Sequence, residues 1–354
     1  MKLKAVRPAG DVSRVVRAPG PLVVLALLAL LALLALLGCG RIHYDPIPEA
    51  TLPGAGGQGG TDIDAEAPDA SPEADTGPER PPSGCPGALF AAPTVVAISG
   101  LDPDFYGARI VVGGLFLLLS QTRGTPFKDE DIWILSRGVG AVMRFERPVR
   151  LDALASPEFD GSPFPTADGL ELYFSSARAG GVGNRDLWFT KRTQPTAMWT
   201  TPTPVVGVGS PQDDQNPTLT GDGLALFFSS DRAGGKGKED IFTATRTSRS
   251  APFTPPVRVA ELSGGGKDGA PFVSSDGLTV YFTSDRAGGR GGLDIWMATR
   301  ATRTAPFSPP VPVAAINSPQ HDEDPSTSQD GRDLFFSSGR AGKGVLIYHA
   351  VRCP

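Results

Sequence analysis

The sequence has few of the residues that build metal centres and disulfide scaffolds: three cysteines and three histidines in 354 residues. This scarcity excludes a zinc ribbon and a disulfide-dense miniature domain. A basic excess is also missing, since 33 Lys and Arg face 38 Asp and Glu, a formal net charge of −5. We therefore expect no nucleic-acid partner. Only four methionines stand beside 44 glycines and 35 prolines, which favours a turn-rich β protein over a helical bundle.

An apolar run of 16 residues, 22–37, follows a basic start. It is typical of a secretory signal and is short for a membrane span, which needs about 20 residues. The run ends in Leu37-Gly38-Cys39, which resembles a bacterial lipobox, where the cysteine is diacylated and becomes the mature N-terminus. The alternative is an uncleaved signal anchor with a chance cysteine. We expect residues 1–38 to be a signal peptide and Cys39 to carry the lipid that anchors the protein to the membrane.

Residues 39–84 predict a disordered tether. The stretch 40–84 holds 8 prolines, 8 glycines and 9 acidic residues against two arginines, with almost no aliphatic pattern. Such a segment cannot bury enough apolar surface to offset its ordering entropy. We interpret it as a spacer between the lipid and a folded domain over residues 85–354. By resemblance to lipoprotein sorting, Gly40 after the cysteine favours the outer membrane, with the domain facing the periplasm or the surface.

The remaining sequence repeats one motif with a period of 54 residues. The repeated features are an Asp-Gly pair, an apolar strand ending in Ser or Thr, an arginine, a glycine-rich loop and an aspartate that opens another strand. The Asp-Gly pairs begin at Asp168, Asp222, Asp276 and Asp330. A degenerate first copy places Gly113-Gly114, Arg123 and Asp131 in register. One aromatic residue marks the start of each unit: Phe90, Phe145, Trp199, Phe253 and Phe307.

Each unit predicts four short strands: a valine-rich strand, a strand entering the Asp-Gly pair, the apolar strand and the Asp-Ile-Trp strand. Asp-Gly between two strands indicates a two-residue hairpin turn with positive φ at both positions. The apolar strand is apolar on both faces, as in Leu226-Phe227-Phe228, where a half-exposed strand would alternate. This pattern predicts small sheets packed between two neighbours. The fold class is all-β, a five-bladed β-propeller with four-stranded antiparallel blades.

The consensus around Leu-Tyr-Phe-x-Ser-Asp-Arg-x-Gly-Gly-x-Gly-x-x-Asp-Ile-Trp resembles the TolB-type, WD-like propeller repeat of bacterial envelope proteins. The resemblance covers residues 88–354, strongly in four copies and weakly in the first. It implies a propeller that serves in binding or scaffolding. In the phase of this family, each valine-rich strand is the outer strand of the preceding blade. Residues 94–98 would then complete the last blade and close the ring.

Ring closure bears on the two remaining cysteines. Cys85 and Cys353 flank the repeats, so a closed ring makes them neighbours, and export permits a disulfide between them. The alternative is two free thiols at frayed ends. We expect the closed domain to be monomeric.

Residues present in every blade are expected to hold the blade rather than to do chemistry. Arg178, Arg232, Arg286 and Arg340 precede the loops that end at Asp186, Asp240 and Asp294, and we expect ion pairs across these loops; the alternative is a fork for phosphate or carboxylate. The Gly-Gly-x-Gly loops are not followed by a helix, so a phosphate loop is not indicated. We expect no cofactor.

Four further aspartates recur where the innermost strand begins, around one mouth of the channel: Asp160, Asp214, Asp268 and Asp322. They are candidates for binding a cation or a basic ligand group, and the alternative is capping of backbone amides. His321, Asp322, Glu323 and Asp324 form a dense run in one blade. This run is a weak candidate for a metal site, against a solvated loop.

Two functions follow from these patterns. The first is a non-catalytic envelope lipoprotein whose propeller binds or scaffolds a protein, peptide or glycan. The second is a glycosidase-like enzyme with carboxylates at the channel. No Gly-x-Ser-x-Gly or His-Glu-x-x-His motif is present in the sequence. The repeated aspartates also have near-identical contexts, whereas catalytic acids need environments that push their pKa values apart. We therefore favour the binding function and expect no catalytic residues.

Overall fold

A computed structural model of the protein describes residues 85, 88–111, 114–122, 130–138 and 143–354. The predicted signal peptide, Cys39, the tether and Arg123 lie outside these residues. The described part is all-β, with strands joined by turns and no helix. Consequently it contains no helix that could cross a bilayer.

The strands form five small sheets, and five blades are thus confirmed. The first blade comprises β3 Phe105–Val111, β4 Phe116–Thr122, β5 Glu130–Arg137 and β6 Arg144–Arg150. The second comprises β7 Asp160–Pro165, β8 Glu171–Ser176, β9 Asp186–Lys191 and β10 Thr203–Pro204. The third comprises β11 Asp214–Leu219, β12 Ala225–Ser230, β13 Asp240–Thr245 and β14 Val257–Arg258. The fourth comprises β15 Asp268–Val273, β16 Thr279–Ser284, β17 Asp294–Thr299 and β18 Val311–Pro312.

The last blade is completed by the beginning of the repeat region, which closes the ring. Its own strands are β19 Asp322–Thr327, β20 Asp333–Ser338 and β21 Leu346–Val351, and β1 Thr94–Val95 pairs antiparallel with β21 as the outer strand. The predicted closing strand is shorter than 94–98, since β2 Ala97–Ile98 turns away and pairs parallel with β6. Cys85 and Cys353 form a disulfide with their Cα atoms 5.6 Å apart.

The core lies between the blades, as the two-sided apolar strands predict. In β12, Phe228 packs on the second blade with Tyr173 and Leu187. The adjacent Phe227 packs on the fourth blade with Val280 and Phe282. Since successive strand residues point to opposite faces, each second strand is buried from both sides and serves two inter-blade cores.

Each innermost strand contains a bulge at one fixed position. The residue there has a left-handed φ between 45° and 57° in every blade: Gly107, Ser162, Asn216, Ala270 and Asp324. In three blades its backbone N–H donates to a hydroxyl of the preceding blade: Asn216 to Ser175, Ala270 to Ser229 and Asp324 to Thr283. The bulges therefore tie neighbouring blades together around the channel.

The hairpins at Asp-Gly are present, but the predicted turn type is wrong. Only the glycines have positive φ, for example 65° at Gly169. The Asp168 carboxylate instead accepts hydrogen bonds from the Thr166 hydroxyl at 2.6 Å and the Leu170 N–H at 3.0 Å. These local hydrogen bonds stabilise a longer, side-chain-supported loop in place of a mirror-image two-residue turn.

Candidate functional site

The four repeated aspartates of the innermost strands are internal ion pairs. Asp160 is fully buried. One of its oxygens accepts from the Ser176 hydroxyl at 2.6 Å and Arg178 Nη2 at 2.5 Å, and the other accepts from the Ser156 N–H at 2.5 Å. Asp214, Asp268 and Asp322 are equally buried and pair with Arg232, Arg286 and Arg340. The ligand-binding interpretation is therefore wrong for these aspartates, and the capping alternative describes them.

The repeated arginines do not close the glycine-rich loops, which corrects a second prediction. Arg178 reaches back to Asp160, and its guanidinium lies over the rings of Phe174 and Trp188 at 5.0 and 5.2 Å. Asp186 instead accepts the N–H groups of Val182 and Gly183, at 2.8 and 3.0 Å. The protein's own carboxylate thus occupies the anion-binding loop.

The run from His321 to Asp324 is separated by the strand that contains it. The His321 ring accepts the Leu293 N–H at 3.1 Å, on the outside of the loop. Asp322 pairs with Arg340, while Glu323 and Asp324 lie in the channel near Lys267. Across the described ranges, no group of three or more His, Cys, Asp or Glu side chains could hold a metal ion.

The channel mouth is instead lined at two positions that differ from blade to blade. One precedes the third-strand aspartate: Glu130, Arg185, Glu239, Leu293 and Val345. The other is the second residue of the innermost strand: Tyr106, Gly161, Gln215, Gly269 and Glu323. We call Glu130, Arg185, Glu239, Lys267, Glu323 and Asp324 the channel cluster.

The two variable positions complement each other across blade boundaries. A side chain at Gly161 would overlap the Glu130 carboxylate, and one at Gly269 would overlap that of Glu239. Where the next blade has a side chain, the two residues bond: Arg185 Nη1 donates to Gln215 Oε1 at 2.8 Å. Lys267 Nζ lies 3.5 Å from Glu239 Oε2. The mouth is therefore assembled from adjacent blades.

Burial raises the pKa of several acids in the channel cluster. It raises the pKa of Glu130 to about 7, although the Ser120 and Thr122 hydroxyls oppose the shift. It also raises the pKa of Glu323 to about 7, with the neighbouring Asp324 adding repulsion. The pKa of Glu239 is raised by burial and moderated by Lys267. Acids in such distinct environments are typical of functional sites.

Further along the channel, three side chains meet across the axis. The rings of Phe164 and Phe272, from the second and fourth blades, have centroids 6.4 Å apart. The Arg109 guanidinium, from the first blade, lies 5.5 Å from the centroid of Phe272. Burial lowers the pKa of Arg109 to about 10, and Asp324 opposes this shift. An apolar and cationic layer thus follows the acidic mouth.

A cleft of about 700 Å³ adjoins the channel mouth on the first blade. Residues 100–104, Gln121, Thr122 and Trp133 line it. The Thr122 hydroxyl lies 3.4 Å from a Glu130 carboxylate oxygen, so the cleft adjoins the channel cluster. A second cleft, of about 330 Å³, lies on the outer part of the third and fourth blades, around Arg258 and Phe307.

Analysis of the repeats directed attention to residues that every blade shares, and it missed the channel cluster. The signal that could have located the cluster is the opposite one. Glu130, Arg185 and Glu239 break the repeat at one aligned position. A side chain that holds a blade is needed in each blade, whereas a ligand meets each blade with a different part of its surface.

No family model matches the sequence, and no curated protein is similar to it. Among solved structures, a thermostable family-43 glycoside hydrolase is 11% identical with a TM-score of 0.51, covering 73% of this chain and 92% of that chain. TolB from Acinetobacter baumannii is 14% identical with a TM-score of 0.42, covering 70% of this chain. A putative TolB from Agrobacterium tumefaciens is 19% identical with a TM-score of 0.40, covering 67% of this chain and 70% of that one.

At these identities the similarity to the glycoside hydrolase shows the fold alone. The chain spans 54% of the length of the Acinetobacter TolB chain. The five four-stranded blades confirm the expected TolB-like propeller at the level of the fold.

Proposed function

We propose that the protein is a non-catalytic envelope lipoprotein, anchored through Cys39, whose propeller binds a protein, peptide or glycan at the channel mouth. The observation that carries the proposal is the division of labour among the side chains. The repeated Asp, Arg and Ser residues bond to one another within each blade, as Asp160, Arg178 and Ser176 do. The blade-specific charged residues converge at one mouth. A surface that differs around the ring suits recognition of an asymmetric partner.

Lys267 and Arg185 are the cations of the channel cluster. Lys267 retains a side-chain exposure of 42%, although it pairs with Glu239. Charged groups at the rim of an interface set association rate and specificity. We infer that these two cations make the first contacts with the partner, while the buried acids behind them fix its orientation.

The test is capture of partners from envelope extracts on the immobilised mature protein. The wild type is compared with the double variant Arg185→Ala/Lys267→Ala and with the control Arg332→Ala, an exposed arginine beside the Asp-Gly turn of the last blade, at the opposite end of the ring. A partner retained by the wild type and the control, but lost with the double variant, is expected. Equal capture by all three proteins would exclude the mouth as the binding site.

A second candidate function is glycoside hydrolysis. The observation that favours it is the pair of channel acids, Glu130 and Glu323, whose pKa values are both raised to about 7. An acid of this kind is protonated near neutral pH and could donate to a leaving group. Release of nitrophenol from a panel of aryl pentosides and hexosides, lost in Glu130→Gln and Glu323→Gln, would favour hydrolysis. Absence of turnover across the panel supports the binding module.

A further inference from the structure

Arg109 is a buried arginine with one open edge. Its side chain is 3% exposed. Nη1 donates to the Ala108 carbonyl at 3.1 Å. Nε and Nη2 are buried and have no hydrogen-bond partner within the described part of the chain. Buried donors without a partner are rare, because their desolvation cost is not recovered.

The two open nitrogens lie on the same edge of the guanidinium. Nε–H and Nη2–H point in nearly parallel directions and match the two oxygens of a planar carboxylate in a bidentate pair. Asp324, the nearest charge of opposite sign, does not fill this role. It accepts the Gly107 N–H at 3.2 Å, and it influences Arg109 only through the electrostatic field.

The open edge lies in the channel. Arg109 lies over Phe272, whose ring faces Phe164 across the axis. Both phenylalanines are half-buried rather than buried, so solvent reaches the space beside them. A group entering from the mouth would meet an aromatic wall and then the guanidinium edge.

The charge around Arg109 favours a ligand with a single negative charge. Asp324 interacts electrostatically with Glu130, Glu239 and Glu323, so the channel is already rich in acids. A dianionic phosphate would add two charges opposite one guanidinium. A carboxylate adds one charge, and an organic body attached to it can pack on Phe272.

We propose that Arg109 binds the carboxylate of an acidic ligand, such as a uronic acid unit or a peptide carboxyl group, inside the propeller channel. This inference rests on the proposed function in one respect: it takes the channel as the binding site. It adds the chemical class of the bound group and names the residue that recognises it.

The test follows the Nε–H resonance of Arg109 by NMR on the ¹⁵N-labelled mature protein during titration with sodium acetate and with D-glucuronate. Chloride and inorganic phosphate serve as comparison anions at equal ionic strength. We expect a saturable shift with both carboxylates, in the millimolar range for acetate because it has few atoms, and no saturable shift with chloride. No response to carboxylates, or a stronger response to phosphate, would overturn the proposal. A buried water that satisfies the edge gives the first of these results.

Arg109→Lys is the informative variant, since it retains the positive charge but loses the bidentate edge. We expect glucuronate affinity, measured by calorimetry, to fall at least tenfold in this variant and to be unchanged in the control Arg332→Lys. Unchanged affinity in Arg109→Lys would contradict the proposal. If Arg109→Lys does not fold, the titration of the wild-type resonance decides alone. Partner capture that persists without any carboxylate response would reject this inference and leave the proposed function standing.

Discussion

At the scale of single residues, charge is treated in two ways. The repeated Asp–Arg pairs are buried with every carboxylate oxygen bonded, as at Asp160. Their positions could be found in the sequence because they recur every 54 residues. Their pairing could not, because Arg178 has Asp160 and Asp186 at comparable distance along the chain, and only the three-dimensional path of the strands decides between them.

Removal of one partner of these pairs should destabilise the fold strongly. In the third blade, Arg232 Nη2 lies 2.6 Å from Asp214 Oδ1, with side chains 13% and 0% exposed. Arg232→Ala leaves a buried carboxylate without its cation, so we expect a loss of about 3–5 kcal/mol in urea unfolding. Arg232→Ala/Asp214→Ala should recover part of that loss. A loss below about 1 kcal/mol would place the pair among weak surface interactions.

The channel acids should make stability fall as pH rises from acidic to neutral. Burial raises the pKa of Glu130 from its ordinary value of 4.5 to about 7 in the folded state. The unfolded chain therefore releases this proton first, and folding is disfavoured increasingly between these two pH values. Each pKa unit corresponds to about 1.4 kcal/mol. We expect Glu130→Gln to flatten the profile of melting temperature against pH in this window; an unchanged profile would contradict the burial of an ionisable acid.

The inter-blade carboxylates should act in the opposite direction at lower pH. The Thr220 hydroxyl, the Leu224 N–H and Arg303 hold the pKa of Asp222 below its ordinary value, at about 2, against the effect of desolvation. Its stabilising contribution is present above the unfolded pKa of about 4 and is lost as pH falls toward 2. Asp222→Asn should weaken the acid limb of the same profile, and Asp285→Asn serves as a control that lacks a resolved shift partner.

At the scale of elements, the strands and their order follow from apolar periodicity and the repeat. The bulges do not. A left-handed residue within an inner strand has no single sequence signature, since Gly, Ser, Asn, Ala and Asp occupy the five positions. What they share is a place in the ring, where the chain must bend and the freed N–H must find the neighbouring blade, as Asn216 finds Ser175. Tertiary context therefore fixes this feature.

A matched pair of substitutions tests the bulge. Ala270 has a φ of 45°, a region that β-branched residues avoid. We expect Ala270→Val to lower the free energy of unfolding by at least about 1–2 kcal/mol more than Ala270→Gly does, since left-handed backbone costs about that much for bulky residues. Ala225→Val, in the regular strand β12, serves as the control and should be nearly neutral. Equal effects of Val at both sites would argue against the left-handed conformation.

At the scale of the whole molecule, closure of the ring organises the channel. The strand count predicted that the start of the repeat region completes the last blade, and β1 pairs with β21 as expected. The disulfide between Cys85 and Cys353 was predictable for the same reason, since closure brings the two ends together. The channel cluster was not predictable, because its members share neither a motif nor a neighbourhood in the sequence.

The disulfide should stabilise the ring chiefly by restricting the unfolded chain. It joins residues 268 apart, so its loss should lower the free energy of unfolding by about 2–5 kcal/mol. We expect Cys85→Ser/Cys353→Ser to fold with the same circular dichroism spectrum as the wild type but to unfold at lower urea. Equal unfolding midpoints for the variant and the oxidised wild type would contradict this role.

Photocrosslinking from one blade tests most directly whether the channel mouth is the binding surface. A benzophenone side chain is placed at Lys238, exposed beside Glu239 at the mouth, or at Ser248, exposed at the opposite end of the same blade. After irradiation in intact cells of the source bacterium, we predict a discrete higher-mass adduct from position 238 and none from position 248. Adducts from position 248 alone, or from neither position, would contradict binding at the mouth.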